Sequence, residues 1–191
     1  MLVLILGPSG VGKGTQIKLL QERHPEFIFP KSVSTRKMRP NESDGNPYYF
    51  ISNDQFDEYI QNNDFLEYAV VHQSARYGTL KKPVKEALLE NKTIIKELDI
   101  QGLKNILATI KQGDADFLKN HLKTIFIMPP NEETLIERIT GRSEIKEIEL
   151  NARLESARNE INDAHLCTDI VDTDTKDTVE EVYKKLEAVI L

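Results

Sequence analysis

Five apolar residues in a row, Leu2-Val3-Leu4-Ile5-Leu6, break off at a glycine, and such a run predicts a strand covered on both faces in a parallel sheet. Beyond a glycine-rich turn, Ile17, Leu19 and Leu20 fall at helical spacing, and Pro25 stops that helix after His24. Buried-strand runs return at residues 93–95, 124–128 and 169–171, each leading into a helix-compatible segment. The alternation predicts an α/β fold, a parallel sheet core with helices on both faces. Ligands of such sheets sit at the carboxyl ends of the strands, and the turn at Gly7 lies at one of them.

Between residues 32 and 80 the texture changes. Aromatic side chains cluster at Tyr48, Tyr49, Phe50, Phe56, Tyr59, Phe65, Tyr68 and Tyr77, with turn residues over 41–47. This stretch predicts a small strand-rich, mixed α/β lobe with one helix near residues 54–61, capped by Ser52 or Asn53. Residues 1–191 then form a single domain whose core runs over about 1–31 and 81–191 around a lobe at about 32–80. Helical patterns at 132–139 and 149–164 flank the polar stretch 141–148; we expect a mobile lid at about 139–153, and a solvated helix connection fits the same texture.

Composition narrows the function classes. A net charge of −6 argues against a nucleic-acid surface, so any phosphate must be caught by local arginines and backbone amides. Cys167 has no partner for an internal disulfide, and no Cys/His spacing suggests zinc. The apolar start is too short for a membrane span and lacks the form of a signal peptide, which sets the expectation of a cytoplasmic protein without a membrane partner.

Chemistry enters at "GPSGVGKGT". Gly7-x-x-x-x-Gly12-Lys13 between a buried strand and a helix has the context of a phosphate loop, in which successive amides and a helix N-terminus converge on phosphate oxygens and Lys13 adds a full charge. Gly7, Pro8, Ser9, Gly10, Val11, Gly12, Lys13, Gly14 and Thr15 are therefore expected to bind ATP. Gly14 stands where a metal-binding hydroxyl is common, and Thr15 is displaced by one residue. The Gly-Lys-Gly-Thr variant resembles that of adenylate kinases, which implies a small-molecule kinase whose magnesium is held mostly by phosphates and water.

In the lobe, Arg36 and Arg39 lie near Tyr48, a donor set suited to a second, dianionic phosphate. Read together, Ser32 with Arg36 and Arg39, Gly45-Asn46-Pro47-Tyr48-Tyr49-Phe50, Phe65-Leu66-Glu67 and Tyr77-Gly78-Thr79 resemble, in order and rough spacing, the acceptor lobe of guanylate kinases. The resemblance implies a P-loop kinase fold and Mg-dependent, reversible transfer of the ATP γ-phosphoryl group to GMP or dGMP, as a monomer or homodimer. Arg36, Arg39, Tyr48 and Tyr77 would hold the acceptor phosphate, Ser32, Glu67 and Thr79 would face its base, and Gly78 belongs to the same GMP-binding set. A carboxylate at Glu67 suits guanine, whose N1–H and 2-amino group it accepts side by side.

"KELDIQG" resembles the family's Asp-x-Asp-x-Gln-Gly element and adds Glu97, Asp99, Gln101 and Gly102 to the acceptor set, with Glu97 and Thr15 as metal contacts, Glu97 through water. Arg138, Arg142 and Arg153 resemble lid arginines: Arg138 and Arg153 join Lys13 and Arg36 as catalytic candidates, and Arg142 joins the ATP set. Arg158 is expected to be a surface ion-pair partner. Glu97 for aspartate, Tyr68 after Glu67, one extra residue between Glu67 and Tyr77, and Val171-Asp172-Thr173 near the ATP adenine depart from the family pattern. Two alternatives stand beside this reading: a same-fold kinase for another phosphorylated acceptor, and a noncatalytic guanylate-kinase-like interaction module.

Overall fold

The protein is described by a computed structural model, which covers residues 1–71, 75–141 and 145–191. The chain opens with β1 (Leu2–Leu6), whose five side chains are all buried, and continues after the glycine turn into α1 (Lys13–Arg23). Next come β2 (Val33–Ser34), β3 (Tyr49–Phe50), α2 (Asn53–Gln61), β4 (Phe65–Val71), β5 (Ala75–Leu80) and α3 (Lys81–Leu89). The remainder alternates as β6 (Ile94–Glu97), α4 (Ile100–Gln112), β7 (Leu122–Met128), α5 (Glu132–Thr140), α6 (Glu147–Asn162), β8 (Asp169–Asp172) and α7 (Val179–Ile190).

Two four-stranded sheets result among the described residues, ordered β6-β1-β7-β8 and β3-β2-β5-β4. The first is the core sheet. Its apolar runs are buried because the sheet is covered, and each fully buried aliphatic side chain contributes roughly 1.5–3 kcal/mol. β7 and β8 pair in parallel, with Ile125 opposite Asp169 and Met128 opposite Asp172.

By its internal contacts the chain separates into two compact units. One comprises Met1–Leu2, Ile28–Ile94 and Gln101–His121, so it extends well beyond residues 32–80; the other comprises Val3–Phe27, Ile95–Ile100 and Leu122–Leu191. In the first unit, Val33, Phe56 and Phe65 form a small core joined by Ile51, Tyr59, Ile60 and Leu80. There β4 and β5 pair antiparallel, and β2 adds to β5 with Ser34 opposite Tyr77. Ser52 is the cap of α2: it closes a capping box with Gln55, which satisfies two helix-end donors at once.

In the second unit, α1 begins at Lys13, four residues before the first apolar position that marks it in the sequence. Its far end is tied to α7 by the paired Arg23–Glu180 and His24–Glu187 contacts. Asn131 caps α5 through the Thr134 amide, and Thr178 with Glu181 closes a capping box on α7.

Candidate functional site

The phosphate loop grows from the end of β1. Gly7 and Gly12 take φ values of +142° and +107°, a region glycine enters without strain, and Gly12 leads directly into α1. At Gly7 a Cβ would lie 2.7 Å from the Ile127 carbonyl oxygen, so the loop can run against β7 only with glycine there. Lys13 curls back over this loop. Its Nζ donates to the Gly7 carbonyl at 2.6 Å and to the Pro8 carbonyl at 3.3 Å, and stands 3.8 Å from Glu97 Oε1. Arg138, in the last turn of α5, donates to the Val11 carbonyl at 3.0 Å and thereby joins the loop.

Beside the loop lies a cavity of about 370 Å³. Thr15, Gln16, Arg138, Asp177, Thr178 and Val179 are among its walls. Its size and its position at the start of α1 suit the nucleoside part of a phosphate-bound nucleotide. Gln16 donates to the Val179 carbonyl at 3.1 Å and so links the starts of α1 and α7 under this cavity.

In the other unit, β5 and the segment before β3 bring Arg36, Tyr48 and Tyr77 together. The Arg36 guanidinium carbon is 5.2 Å from the Tyr48 ring centre, the Tyr48 and Tyr77 rings are 5.4 Å apart, and the Tyr77 phenol interacts with Arg36. Glu42 pairs with both terminal nitrogens of Arg36 at 2.6 Å. That pairing, with the Arg39 amide and the Arg39 charge, holds the Glu42 carboxyl down to about 2. One strand further on, Glu67 and Thr79 are cross-strand neighbours, nearly inaccessible to water, joined by a 2.6 Å hydrogen bond from the hydroxyl. Glu67 also borders a cavity of about 430 Å³, with Tyr59, Tyr68, Asn105 and Thr109 among its other walls.

Comparison with known proteins fits this geometry. The sequence profile described as guanylate kinase matches residues 1–191. The guanylate kinase of Clostridium perfringens is 39% identical over 191 residues, which is 100% of this chain and 82% of that protein. That of Cutibacterium acnes is 38% identical over 174 residues, 91% of this chain and 83% of its own length. The chain belongs to the guanylate kinase family. The guanylate kinase of Corynebacterium efficiens is 35% identical over 184 residues, covering 96% of this chain and 92% of that protein. Among solved structures, a guanylate kinase from Anaplasma phagocytophilum shares the fold, with a TM-score of 0.67 at 24% identity over 100% of this chain and 83% of that one.

Within this family frame the remaining residues fall as follows. Gly14 and Thr15 are exposed at the start of α1, and Ser9 is half-buried. Glu97 at the end of β6 and Asp99 just past it are exposed, Gly102 is buried, and Gln101 donates to Asn105, which in turn donates to the Tyr68 carbonyl. Arg39 is exposed, and its amide is held by Glu42. Ser32 is half-buried and its carbonyl accepts from the Tyr49 amide. Arg153 forms a 2.6 Å pair with Glu149 one turn earlier on α6. Arg142 lies outside the described residues. Arg158 pairs with Glu132 through two bonds of 2.6 and 2.7 Å, the surface role its position suggested.

Four groups near these sites carry no motif signal. Glu42 is one. Ser34 is fully buried, and its hydroxyl accepts from the Arg36 amide at 3.3 Å, which fixes the turn that launches Arg36. Glu160 on α6 is half-buried near Lys13 and Asp99; burial, aided by Asp99, raises its carboxyl above the ordinary value while Lys13 opposes the shift. Asp177 and Thr178 border the cavity beside α1, while the Thr173 hydroxyl donates to the Met128 carbonyl at 2.7 Å.

Magnesium is the metal the family implies. Among the described residues no cluster of three or more His, Cys, Asp or Glu could enclose an ion. The donors present, an exposed Thr15 in the first turn of α1 and an exposed Glu97 carboxylate 3.8 Å from the Lys13 ammonium, fit an ion that keeps most of its shell as phosphate oxygen and water.

Proposed function

We propose that the protein transfers the γ-phosphoryl group of ATP to the 5′-phosphate of GMP or dGMP, reversibly, giving ADP and GDP or dGDP. The observation that carries the acceptor assignment is the buried Glu67–Thr79 pair. The Thr79 hydroxyl occupies one carboxylate oxygen of Glu67 and orients the group. A carboxylate so oriented suits the N1–H and 2-amino hydrogens that guanine presents together, whereas adenine has a lone pair at N1 and no 2-amino group. A buried acceptor left unpaired by the wrong base is costly, and sites built this way discriminate by roughly 10⁴-fold or more.

In the transfer, an oxygen of the acceptor phosphate bonds to the γ-phosphorus as the bond from that phosphorus to the β–γ bridging oxygen breaks, and the leaving group departs as ADP. The attacking oxygen already bears charge near neutral pH, so this chain need supply no strong base, and catalysis reduces to alignment and charge stabilisation. The loop amides and Lys13 hold the donor phosphates, Arg138 meets the transferring group, and Arg36 with Tyr48 and Tyr77 holds the acceptor phosphate. Arg39 adds charge to the same cluster. Bound magnesium, with Thr15 and a water-bridged Glu97 as its protein partners, would neutralise phosphate charge.

An intact Lys13 in a fully formed loop favours an enzyme over an interaction module, and Glu67 favours guanine over other acceptors. The nucleotide pool this reading implies is cytosolic. No helix among the described residues is long and apolar enough to cross a membrane. ADP release measured with ATP and each nucleoside monophosphate tests the reading. GMP and dGMP should turn over fastest; brisk turnover with another acceptor and none with these two would overturn it.

A further inference from the structure

Arg36 is not free to turn its whole guanidinium toward a ligand. Its Nη1 donates to Glu42 Oε2 at 2.6 Å and to the Lys37 carbonyl at 3.0 Å, which uses both Nη1 hydrogens. Its Nη2 donates one hydrogen to Glu42 Oε1, also at 2.6 Å. The hydrogens left over, on Nε and on the outer side of Nη2, lie on one edge of the planar group. Two parallel donors on one edge are what a phosphate accepts in bidentate fashion.

Glu42 is itself anchored. Oε2 also accepts the Arg39 amide at 2.9 Å, and the Glu42 amide donates back to the Arg39 carbonyl at 3.0 Å, so the carboxylate is built into the turn that carries both arginines. Both partners are shielded, with only 14% of the Arg36 side chain and 13% of the Glu42 side chain exposed. We propose that Glu42 is a positioning residue of the acceptor-phosphate site: by taking the Nη1–Nη2 end of Arg36, it presents the Nε–Nη2 edge, beside Tyr48 and Tyr77, to the incoming phosphate. This rests on the guanylate kinase reading above and names the residue that sets the geometry of its acceptor site. The carboxylate stays ionised across the working pH range, because Arg36 and the Arg39 amide hold it low.

The opposite role is conceivable on chemical grounds: a carboxylate on an arginine resembles a phosphate, and Glu42 would then compete with the acceptor. The anchoring opposes this, since displacing Glu42 breaks its contacts to Arg36 and to the Arg39 amide, while binding at the other edge, beside the Tyr77 phenol, leaves those contacts in place. Glu42→Gln keeps the shape but puts an N–H₂ against one Nη, so the end-on pair is lost and the guanidinium is free to turn.

The test is steady-state kinetics on the wild type, Glu42→Gln, Arg36→Lys and the double variant. Glu42→Gln should raise the KM for GMP about tenfold while the KM for ATP, kcat and Tm change little; in the Arg36→Lys background the same change should matter less than twofold, because the two act as one unit. An unchanged or lowered KM for GMP, or an equal effect in both backgrounds, would overturn the proposal. Should Glu42→Gln not fold, Glu42→Asp, which keeps the charge but retracts it by one methylene, should raise the KM for GMP about threefold, and no change would count against the role. If the wild type itself shows no turnover with GMP, it is the functional reading that fails; if it turns over GMP and the variants behave as wild type, only the role of Glu42 falls.

Discussion

The Thr79 hydroxyl donates a 2.6 Å hydrogen bond to Glu67 Oε1 across neighbouring strands, with 2% of Thr79 and 8% of Glu67 exposed. A carboxylate at such a depth is held in one orientation, so replacing it by its amide changes chemistry without changing shape. Glu67→Gln offers an N–H₂ where guanine also offers donors. The kcat/KM for GMP should fall roughly 100-fold or more, with the KM for ATP moving less than about threefold. Equal small effects on both substrates, read from initial rates, would remove Glu67 from base recognition.

Gly78 sits on β5 between Tyr77 and Thr79, the two residues of that strand proposed to meet the acceptor. A Cβ there would lie 2.4 Å from Phe65 Cε1, 2.6 Å from its Cδ1 and 3.1 Å from the Glu67 carbonyl oxygen. Phe65 is a buried ring in contact with Phe56, so it has no solvent to retreat into. Gly78→Ala should therefore destabilise by about 1–3 kcal/mol, the ordinary cost of overpacking, and should weaken GMP binding by tilting Glu67. Thermal unfolding with and without GMP reads both effects; a Tm equal to that of the wild type would show that the strand yields without strain.

These two strands show which parts of the site the sequence made legible. The phosphate loop is local: an apolar run, glycines at fixed offsets and a lysine specify strand, turn and helix within a dozen residues. Glu67, Tyr77 and Thr79 are legible as family motifs, and alternation along β4 and β5 explains why Glu67 and Thr79 share a face. Glu42 was not legible, because a glutamate in a turn has no period and its partner is chosen by how the turn folds back. The Arg153–Glu149 pair is visible only once the helix is built, because an i,i+4 partner and a lid arginine look alike in the sequence. The cavity wall at Asp177 and Thr178 carries no sequence motif, because it is made by the loop that follows β8 and precedes α7.

The link between α1 and α7 predicts a pH dependence of stability. His24 Nε2 lies 2.8 Å from Glu187 Oε1 and Nδ1 lies 3.0 Å from Glu26 Oε1; Glu187 also accepts from Tyr183, and Arg23 stands nearby with Glu180. The Glu187 hydrogen bond, then that of Glu26, raises the imidazole above its ordinary value despite partial burial, and both carboxyls are held below theirs. A raised imidazole stabilises the fold below its unfolded value and loses that contribution as pH rises through the folded value; the lowered carboxylates lose theirs as pH falls. The contribution is thus greatest between the carboxylate range and the His24 range. His24→Gln should lower Tm at pH 6 by about 2–4 °C, as for a loss on the order of 1 kcal/mol, and by less at pH 8.5. A deficit that grows with pH would contradict the assignment.

Lys13 illustrates a group whose partners must change for function. Its ammonium bonds to the Gly7 and Pro8 carbonyls and leans toward Glu97. An ammonium has three donors, and a triphosphate offers charged acceptors that bond roughly twice as strongly as neutral carbonyls. ATP is therefore expected to draw Lys13 outward while the loop amides take up phosphate oxygens. Two consequences can be separated in Lys13→Met. Two carbonyls lose a donor, so the free protein should be less stable by about 1–2 kcal/mol. Independently, the rise in Tm on adding a nonhydrolysable ATP analogue, which reports ligand affinity by mass action, should be largely lost, and kcat/KM for ATP should fall by about 10³-fold. The first effect without the second would make Lys13 a structural brace of the turn, and near-normal turnover in the variant would remove it from the phosphate clamp altogether.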